Sequence, residues 1–368
     1  MKDYKHSTDV IFLRERIPWM GEHSGYDILY RYMNDIGQVN VRDVLVARNN
    51  NFLKRRTHFI LSWCSSRINK LPYYDCNSML AEVDVLCKLL LHSGHLVHIM
   101  YLEMDYGILA HLKNRLSAKI IGTSHQSPGW WRMVHRNPNV FSSLDALIVV
   151  STAQKRFFEE YLPGRVYFIR HGVDTDFFKP TSLDNKIDST HECHCVFSGH
   201  WMRDIQKLAA VISRVLERNR HIIFDLIVPR DRINDPNFYR IAHHEQVKWH
   251  SDISDSRLRD LYQQASLLFL PLIDCTANNA LLESSACGLP IITTSVGGVR
   301  DYTDISFAEY FSLEDIEGMR DAILNLVDNK SEQQKRRSAA RNYALKNLNW
   351  KRIALETFEL YKVIQERN

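Results

Sequence analysis

The sequence predicts an α/β protein built from two doubly wound, Rossmann-like domains and closed by a long C-terminal helix. Three observations predict it. A chain of 368 residues exceeds what one ordinary hydrophobic core serves. Short aliphatic runs alternate with amphipathic stretches, which is the rhythm of βαβ units on parallel sheets. That rhythm breaks once, over the polar and aperiodic residues 180–192, and then resumes. The expected domains are 1–180 and 181–349, with 350–368 packing back on the first.

In chain order, the aliphatic run 10–13 reads as the first strand, followed by a loop over 17–24 and a helix over 25–33. The helical period covers 81–92, then 95–101 reads as strand, 106–116 as helix and 118–122 as strand. Residues 145–150 form a buried strand. Ser151 opens the next helix, with Gln154 three positions on in a capping-box pattern. Residues 166–170 are the last strand of the first series. The second series runs strand 195–198, helix 206–218, strand 222–228, helix 256–265 and strand 266–270. A short helix, 279–287, is closed by Gly288, which supplies the left-handed C-cap conformation, and Pro290 prevents its continuation. Strand 291–294 follows. The closing helix, 350–365, carries an apolar stripe of Ile353, Leu355, Phe358, Leu360 and Tyr361 that must be buried.

Composition excludes several classes. A net charge of +4 on 47 basic and 43 acidic residues is not the footprint of a nucleic-acid binder. No apolar run approaches the ~20 residues of a membrane span, and residues 1–16 hold too short an apolar stretch for a signal peptide. The expected location is the cytoplasm. Seven cysteines at irregular spacing do not make a disulfide framework. Cys193-His194-Cys195 lacks the second ligand pair of a zinc site, so it reads as ordinary strand.

The sharpest chemical signal lies between Asp274 and Gly298. A strand ends near Leu272, a loop of small residues follows, and a helix begins near Asn279, whose free N–H groups and positive dipole end form an anion site. Glu283 follows within two turns. A carboxylate does not bind phosphate, but it accepts hydrogen bonds from sugar hydroxyls. Amides for phosphates and an acid for a ribose are the parts of a nucleotide-sugar site; a helix start carrying a stabilising acid is the structural alternative.

This stretch resembles the donor-site signature of the retaining glycosyltransferases of the GT-B fold, sequence family 4. His171-Gly172-Val173-Asp174-Thr175-Asp176-Phe177-Phe178-Lys179-Pro180 resembles that family's inter-domain segment. Residues 146–151 resemble its strand before the hinge, and 345–361, with Trp350, its C-terminal crossover helix. The resemblance implies an inter-domain cleft and transfer of a sugar from a nucleotide-sugar donor to a glycan, lipid-linked or small-molecule acceptor. It also implies retained configuration and no metal or other cofactor. Glu283 matches the glutamate that holds the ribose. The family's first glutamate, eight positions earlier, is replaced by Cys275, so either Asp274 takes its place, or the loop amides suffice, or the donor sugar differs. The implied donor-binding set is Gly25, Gly199, Asp274, Ala277, Asn278, Asn279, Ala280 and Glu283.

The family places basic residues after a glycine to meet the donor diphosphate. Here Arg203 and Lys207 follow Gly199, four apart, so that on a helix they share a face. With His125, which resembles a histidine that hydrogen-bonds the donor sugar, they complete the expected catalytic set. Asp174-Thr175-Asp176 resembles the metal motif of another glycosyltransferase fold, but it lies inside the inter-domain segment and is not read as one. Trp130 and Trp131 suit either core packing or a sugar face. Lys54-Arg55-Arg56, with Phe52, Phe59 and Trp63, suits either a solvated basic face or a weak peripheral membrane contact. Two alternatives to transfer remain open: a nucleotide-sugar epimerase of the same fold, and a non-catalytic sugar-nucleotide-binding subunit.

Overall fold

The computed structural model describes residues 8–18, 20–47, 63, 65–68, 71–91, 96–134, 138–181 and 193–367, the side chains of 138–140 excepted. The linker expected over 180–192 lies almost wholly outside the described residues, as do Phe52, Lys54, Arg55, Arg56 and Phe59 of the basic patch. The chain forms two compact units: Met1–Met20, Gly25–His171 and Trp350–Asn368 make the first, and Gly21–Ser24 with Gly172–Asn349 the second.

The first unit holds a parallel sheet of six strands: β1 (Thr8–Arg14), β2 (Val39–Leu45), β3 (Leu96–Ile99), β4 (Lys119–Ser124), β5 (Ala146–Val149) and β6 (Val166–Phe168). Their order is β2-β1-β3-β4-β5-β6, so the winding reverses between β1 and β3. The inner strands are aliphatic because both faces are covered. The unread strand β2 is an edge strand, with Asn40, Asp43 and Leu45 exposed, and its polar residues disguise it. Helices α1 (Leu29–Asn34), α2 (Cys76–Leu91), α3 (Leu102–Asp105), α4 (Ile108–Leu112), α5 (Pro128–Val134) and α6 (Thr152–Glu159) join them.

The helix expected over 106–116 is α4, continued by a 3-10 turn over Lys113–Arg115. It starts at Ile108, where the buried Glu82 carboxylate accepts from the Gly107, Ile108 and Leu109 amides. Ser151 caps α6 as its sequence implies, accepting from the Gln154 amide at 3.2 Å. Trp131 is core, packed edge-on against Phe141 and Phe158, and Trp130 is buried against Tyr73.

The second unit repeats the architecture: β7 (Cys193–Ser198), α7 (Ile205–Arg218), β8 (Ile222–Ile227), β9 (Val247–His250), α8 (Asp255–Gln264), β10 (Leu267–Leu270), α9 (Asn279–Ala286), β11 (Ile291–Thr294), α10 (Val299–Tyr302), β12 (Ala308–Phe311), α11 (Ile316–Asp328) and α12 (Lys330–Asn347). The order β12-β11-β10-β7-β8-β9, again parallel, puts the reversal between β7 and β10. Gly288 takes φ +79° past α9, and a Cβ there would press the Arg337 carbonyl at 3.1 Å. The Cys193-His194-Cys195 run is strand, with the His194 imidazole donating to the buried Asp225 at 2.6 Å and His250 donating to its other oxygen at 2.7 Å.

The closing helix α13 (Trp350–Glu366) belongs to the first unit. Ile353, Phe358, Leu360 and Tyr361 of its apolar stripe are buried. Leu355 is not; it is 52% exposed, because it falls off the 3.6-residue face that the other four share. Tyr361 anchors the helix through its hydroxyl, 2.6 Å from His98 Nδ1, while His98 Nε2 meets Thr123 Oγ1 at 2.7 Å. Burial, helped by His125, pulls His98 down to about 3, so this core imidazole is neutral. Among the described residues no helix is long and apolar enough to cross a membrane.

Candidate functional site

Open parallel sheets bind ligands beyond the carboxyl ends of their strands, where the winding reverses. In the second unit those ends are the turn after β7 and the loop after β10, and most of the residues singled out by the sequence stand there.

Gly199 follows β7 with φ +94°, and a Cβ on it would lie 2.6 Å from an Arg203 guanidinium nitrogen. The glycine thus admits Arg203 beneath the turn. The guanidinium donates to the Ser198 carbonyl at 3.1 Å, to the Trp201 carbonyl at 2.7 Å and to Asn278 Oδ1 at 3.2 Å. Burial lowers its pKa, offset by Cys275, Tyr262 and Glu283, and an arginine remains a cation under any such shift. Arg203 and Lys207 do not share a helix face. Asp204 caps α7 by accepting from the Lys207 amide, so the helix begins only at Ile205 and Arg203 stands before it in a bridge to Leu272. Lys207 is on the helix, 8% exposed, and its ammonium lies 2.7 Å from the same Asp204 carboxylate.

Beyond β10, Asp274 Oδ1 accepts from the Cys275 amide at 2.8 Å. Gly297 packs against this turn so closely that a Cβ would sit 2.1 Å from the Cys275 carbonyl, and the Gly298 amide donates to that carbonyl at 2.7 Å. The Gly297-Gly298 pair at the end of the sequence signature therefore shapes the loop. Cys275 is buried, its Sγ donates to the Thr276 carbonyl, and burial pushes its thiol up to about 12, so it is neutral. Ala277 leads to Asn278, whose Oδ1 caps α9 by accepting from the Ala280 amide at 3.0 Å while also receiving Arg203. The cap satisfies the Ala280 amide and fixes where α9 begins, so that the positive end of the helix dipole stands at this loop.

Glu283 stands one turn into α9 and is 4% exposed. Ser24 Oγ donates to its Oε1 at 2.5 Å and the Tyr262 hydroxyl to its Oε2 at 3.3 Å. Burial pushes its carboxyl up from the ordinary 4.5 to about 7. The Ser24 bond opposes that rise, Asp255 adds to it, and Tyr262 and Arg203 oppose it. Asp174 accepts from the Asp176 and Phe177 amides on Oδ1 and from His23 Nδ1, 2.7 Å away, on Oδ2. Arg341, from α12, binds the carbonyls of Thr175, Phe178 and Ala286, fixing this segment to the end of α9.

His125 and Gly25 stand in the first unit. His125 follows β4, beside the reversal between β1 and β3. Its Nε2 donates to the Met100 carbonyl at 2.8 Å, and its amide lies 3.3 Å from both oxygens of Glu103, a carboxyl that burial raises to about 7. The Met100 bond fixes the tautomer, with the proton on Nε2 and Nδ1 an acceptor. Burial, reinforced by His171, pulls the imidazole down to about 3. Gly25, at φ +103°, turns the chain into Tyr26, whose ring meets His125 edge-on at 4.7 Å and Trp350 at 5.7 Å.

Ser24, Tyr262, His23 and Glu103 are not among the site residues singled out from the sequence. Glu103 leaves a signal, an acid past the carboxyl end of an aliphatic run, and His23 and Ser24 lie in the loop between Gly21 and Gly25.

Residues 193–329 match the family model described as glycosyl transferases group 1. Alpha-maltose-1-phosphate synthase of Mycobacterium tuberculosis is 21% identical over 304 residues, 74% of this chain and 76% of the relative. Among solved structures, sucrose-phosphate synthase from Thermosynechococcus elongatus superposes with TM-score 0.75 at 15% identity, covering 98% of this chain and 100% of that one. Anabaena HepE, in complex with UDP and glucose, superposes with TM-score 0.70 at 12% identity, covering 97% and 100%. These two likenesses establish the fold.

Proposed function

Starting from a chain that is a GT-B glycosyltransferase of the glycosyl transferases group 1 family, we propose that it transfers a sugar with retention, and without a metal, from a nucleoside-diphosphate sugar to an acceptor hydroxyl. The observation that carries this reading is the grouping in one unit of a capped helix start, the Arg203 cation on that cap, and the buried Glu283 one turn further along. The N-terminal end of α9, through its dipole, faces the diphosphate, and Arg203 and Lys207 supply positive charge. Glu283 accepts from the ribose hydroxyls. His125, neutral and held by Met100, accepts a hydroxyl of the sugar on Nδ1. Asp274 and the adjoining loop face the sugar, with Gly25 and Gly199 giving room for close approach.

In the reaction the bond from the anomeric carbon to the phosphate oxygen breaks, and its electron pair leaves on the diphosphate. The acceptor oxygen bonds to the same face of that carbon and loses its proton to the departing phosphate. Charge grows on the leaving group as the bond breaks, so cations and amides aimed at it act more strongly in the transition state than in the ground state. Asp174 fits a structural part better than a metal-binding one, since both its oxygens are engaged by His23 and two amides.

The test is a thermal-shift screen of UDP-, GDP- and ADP-sugars, with UDP-glucose first because HepE was solved with UDP and glucose. Product analysis follows, with chelator present. An α-configured product formed from an α-linked donor without added divalent ion is expected. An inverted product, or activity lost to chelator and restored by magnesium or manganese, overturns the reading.

A further inference from the structure

Glu283, assigned above to the ribose, already has both carboxylate oxygens occupied by groups of the protein. One of them comes from far along the chain: Ser24, in the segment Gly21–Ser24 that leaves the first unit and is built into the second. Four further contacts fasten that segment. Gly21 lies tightly against Asp255: a Cβ there would fall 1.6 Å from Oδ1, so the carboxylate would have to move to admit one. The His23 amide donates to Asp255 Oδ2 at 3.0 Å. The His23 imidazole stacks on Phe177, with centroids 3.6 Å apart and planes within 4°, while Nδ1 donates to Asp174 at 2.7 Å and Arg259 lies over the Phe177 ring at 4.8 Å.

We propose that residues Gly21–Ser24 form a strap in which the Ser24 hydroxyl occupies the place of a ribose hydroxyl on Glu283, so that a nucleotide binds by exchange with it. The inference rests on the assignment of Glu283 to the ribose. Each carboxylate oxygen can accept a second bond, but Glu283 is 4% exposed, so a vicinal diol reaches it only where a group now packed on it, Ser24 or Tyr262, gives way. Tyr262 is rooted in the core of α8, whereas Ser24 sits at the end of a four-residue loop. Ser24 is therefore the group displaced. Its departure leaves His23 on Asp174 and Phe177 as the hinge from which the strap returns.

The experiment compares wild type, Ser24→Ala and Ser24→Thr for binding of a ribonucleoside diphosphate and its 2′,3′-dideoxy analogue by calorimetry. UDP, GDP and ADP are the probes. Losing one hydrogen bond to a charged group should tighten ribonucleotide binding to Ser24→Ala by roughly tenfold. The dideoxy analogue, which does not need the Ser24 position, should bind both proteins alike, and Ser24→Thr should behave as wild type. If the preference for the ribonucleotide is present but equal in wild type and Ser24→Ala, or larger in wild type, Ser24 is no competitor. The strap inference then falls and the Glu283 assignment stands. If neither protein prefers the ribonucleotide, Glu283 does not read the ribose and both fall.

Discussion

Replacing Glu283 by glutamine should stabilise the protein at alkaline pH while weakening its hold on nucleotide. The buried carboxyl is raised from 4.5 to about 7, chiefly by loss of water. The folded state therefore binds that proton more tightly than the unfolded chain does. Its contribution to stability is complete below pH 4.5 and is lost as the pH rises through about 7. At roughly 1.4 kcal/mol for each pH unit, the loss is about 3 kcal/mol. Glutamine has nothing to ionise, keeps an acceptor for Ser24, and fills nearly the same volume. Relative to wild type, Glu283→Gln should gain about 3 kcal/mol between pH 4.5 and 8, or roughly 6–12 °C in Tm for a unit of this size. Calorimetric melting across that range reads it directly. Nucleotide titration at pH 8 should move the other way, with affinity down tenfold or more as charge-assisted hydrogen bonds to the ribose are lost. A Tm difference that stays constant with pH, or a glutamine variant less stable at pH 8, would refute the account of Glu283 as an acid held at the edge of ionisation.

Arg203→Ala should lower kcat at saturating donor by about 10²–10³-fold, the usual loss for one electrostatic contact to a leaving group. Arg203→Lys should recover little of it, because an ammonium cannot span Ser198, Trp201 and Asn278 together. Lys207→Ala should also lower kcat, with the double variant less than additive if both meet the same phosphates; near-normal kcat in both single variants would place the clamp elsewhere. Tyr361→Phe leaves a buried nitrogen of His98 unpaired and should cost about 1–3 kcal/mol in urea unfolding. An unchanged midpoint would show that the His98 contact does not hold α13.

The sequence made the sheets legible wherever strands are buried on both faces, because there the aliphatic run is unbroken, as at 146–149 and 267–270. At the edges it was uneven. The edge strand β6 is legible over 166–170, whereas polar residues such as Asn40, Lys248 and Glu309 break up the runs of β2, β9 and β12. Helix starts were legible where a single side chain decides them, as with Ser151 and the Asn278–Asn279 boundary. Asp204 could have been read as a cap by the same logic, which would have removed the supposed face shared by Arg203 and Lys207. Glu283 stood out through its place after a loop of small residues. Its partners did not, because Ser24 is 259 positions away and no local pattern records such a contact. The same holds for His23 with Asp174, 151 positions apart, where each half is unremarkable alone.

The helix α13 has a consequence for the order in which the chain takes shape at the ribosome. Residues 172–349 emerge as one stretch, and nearly all of the second unit can organise as soon as they clear the exit tunnel. The first unit, although its strands appear earlier, lacks Trp350, Ile353, Phe358 and Tyr361 until after that. In the interval His98 has no Tyr361 hydroxyl and the apolar ground beneath α13 lies open to water. The half that is synthesised first is therefore the half that finishes last, and it needs sheltering for as long as translation of the other half takes.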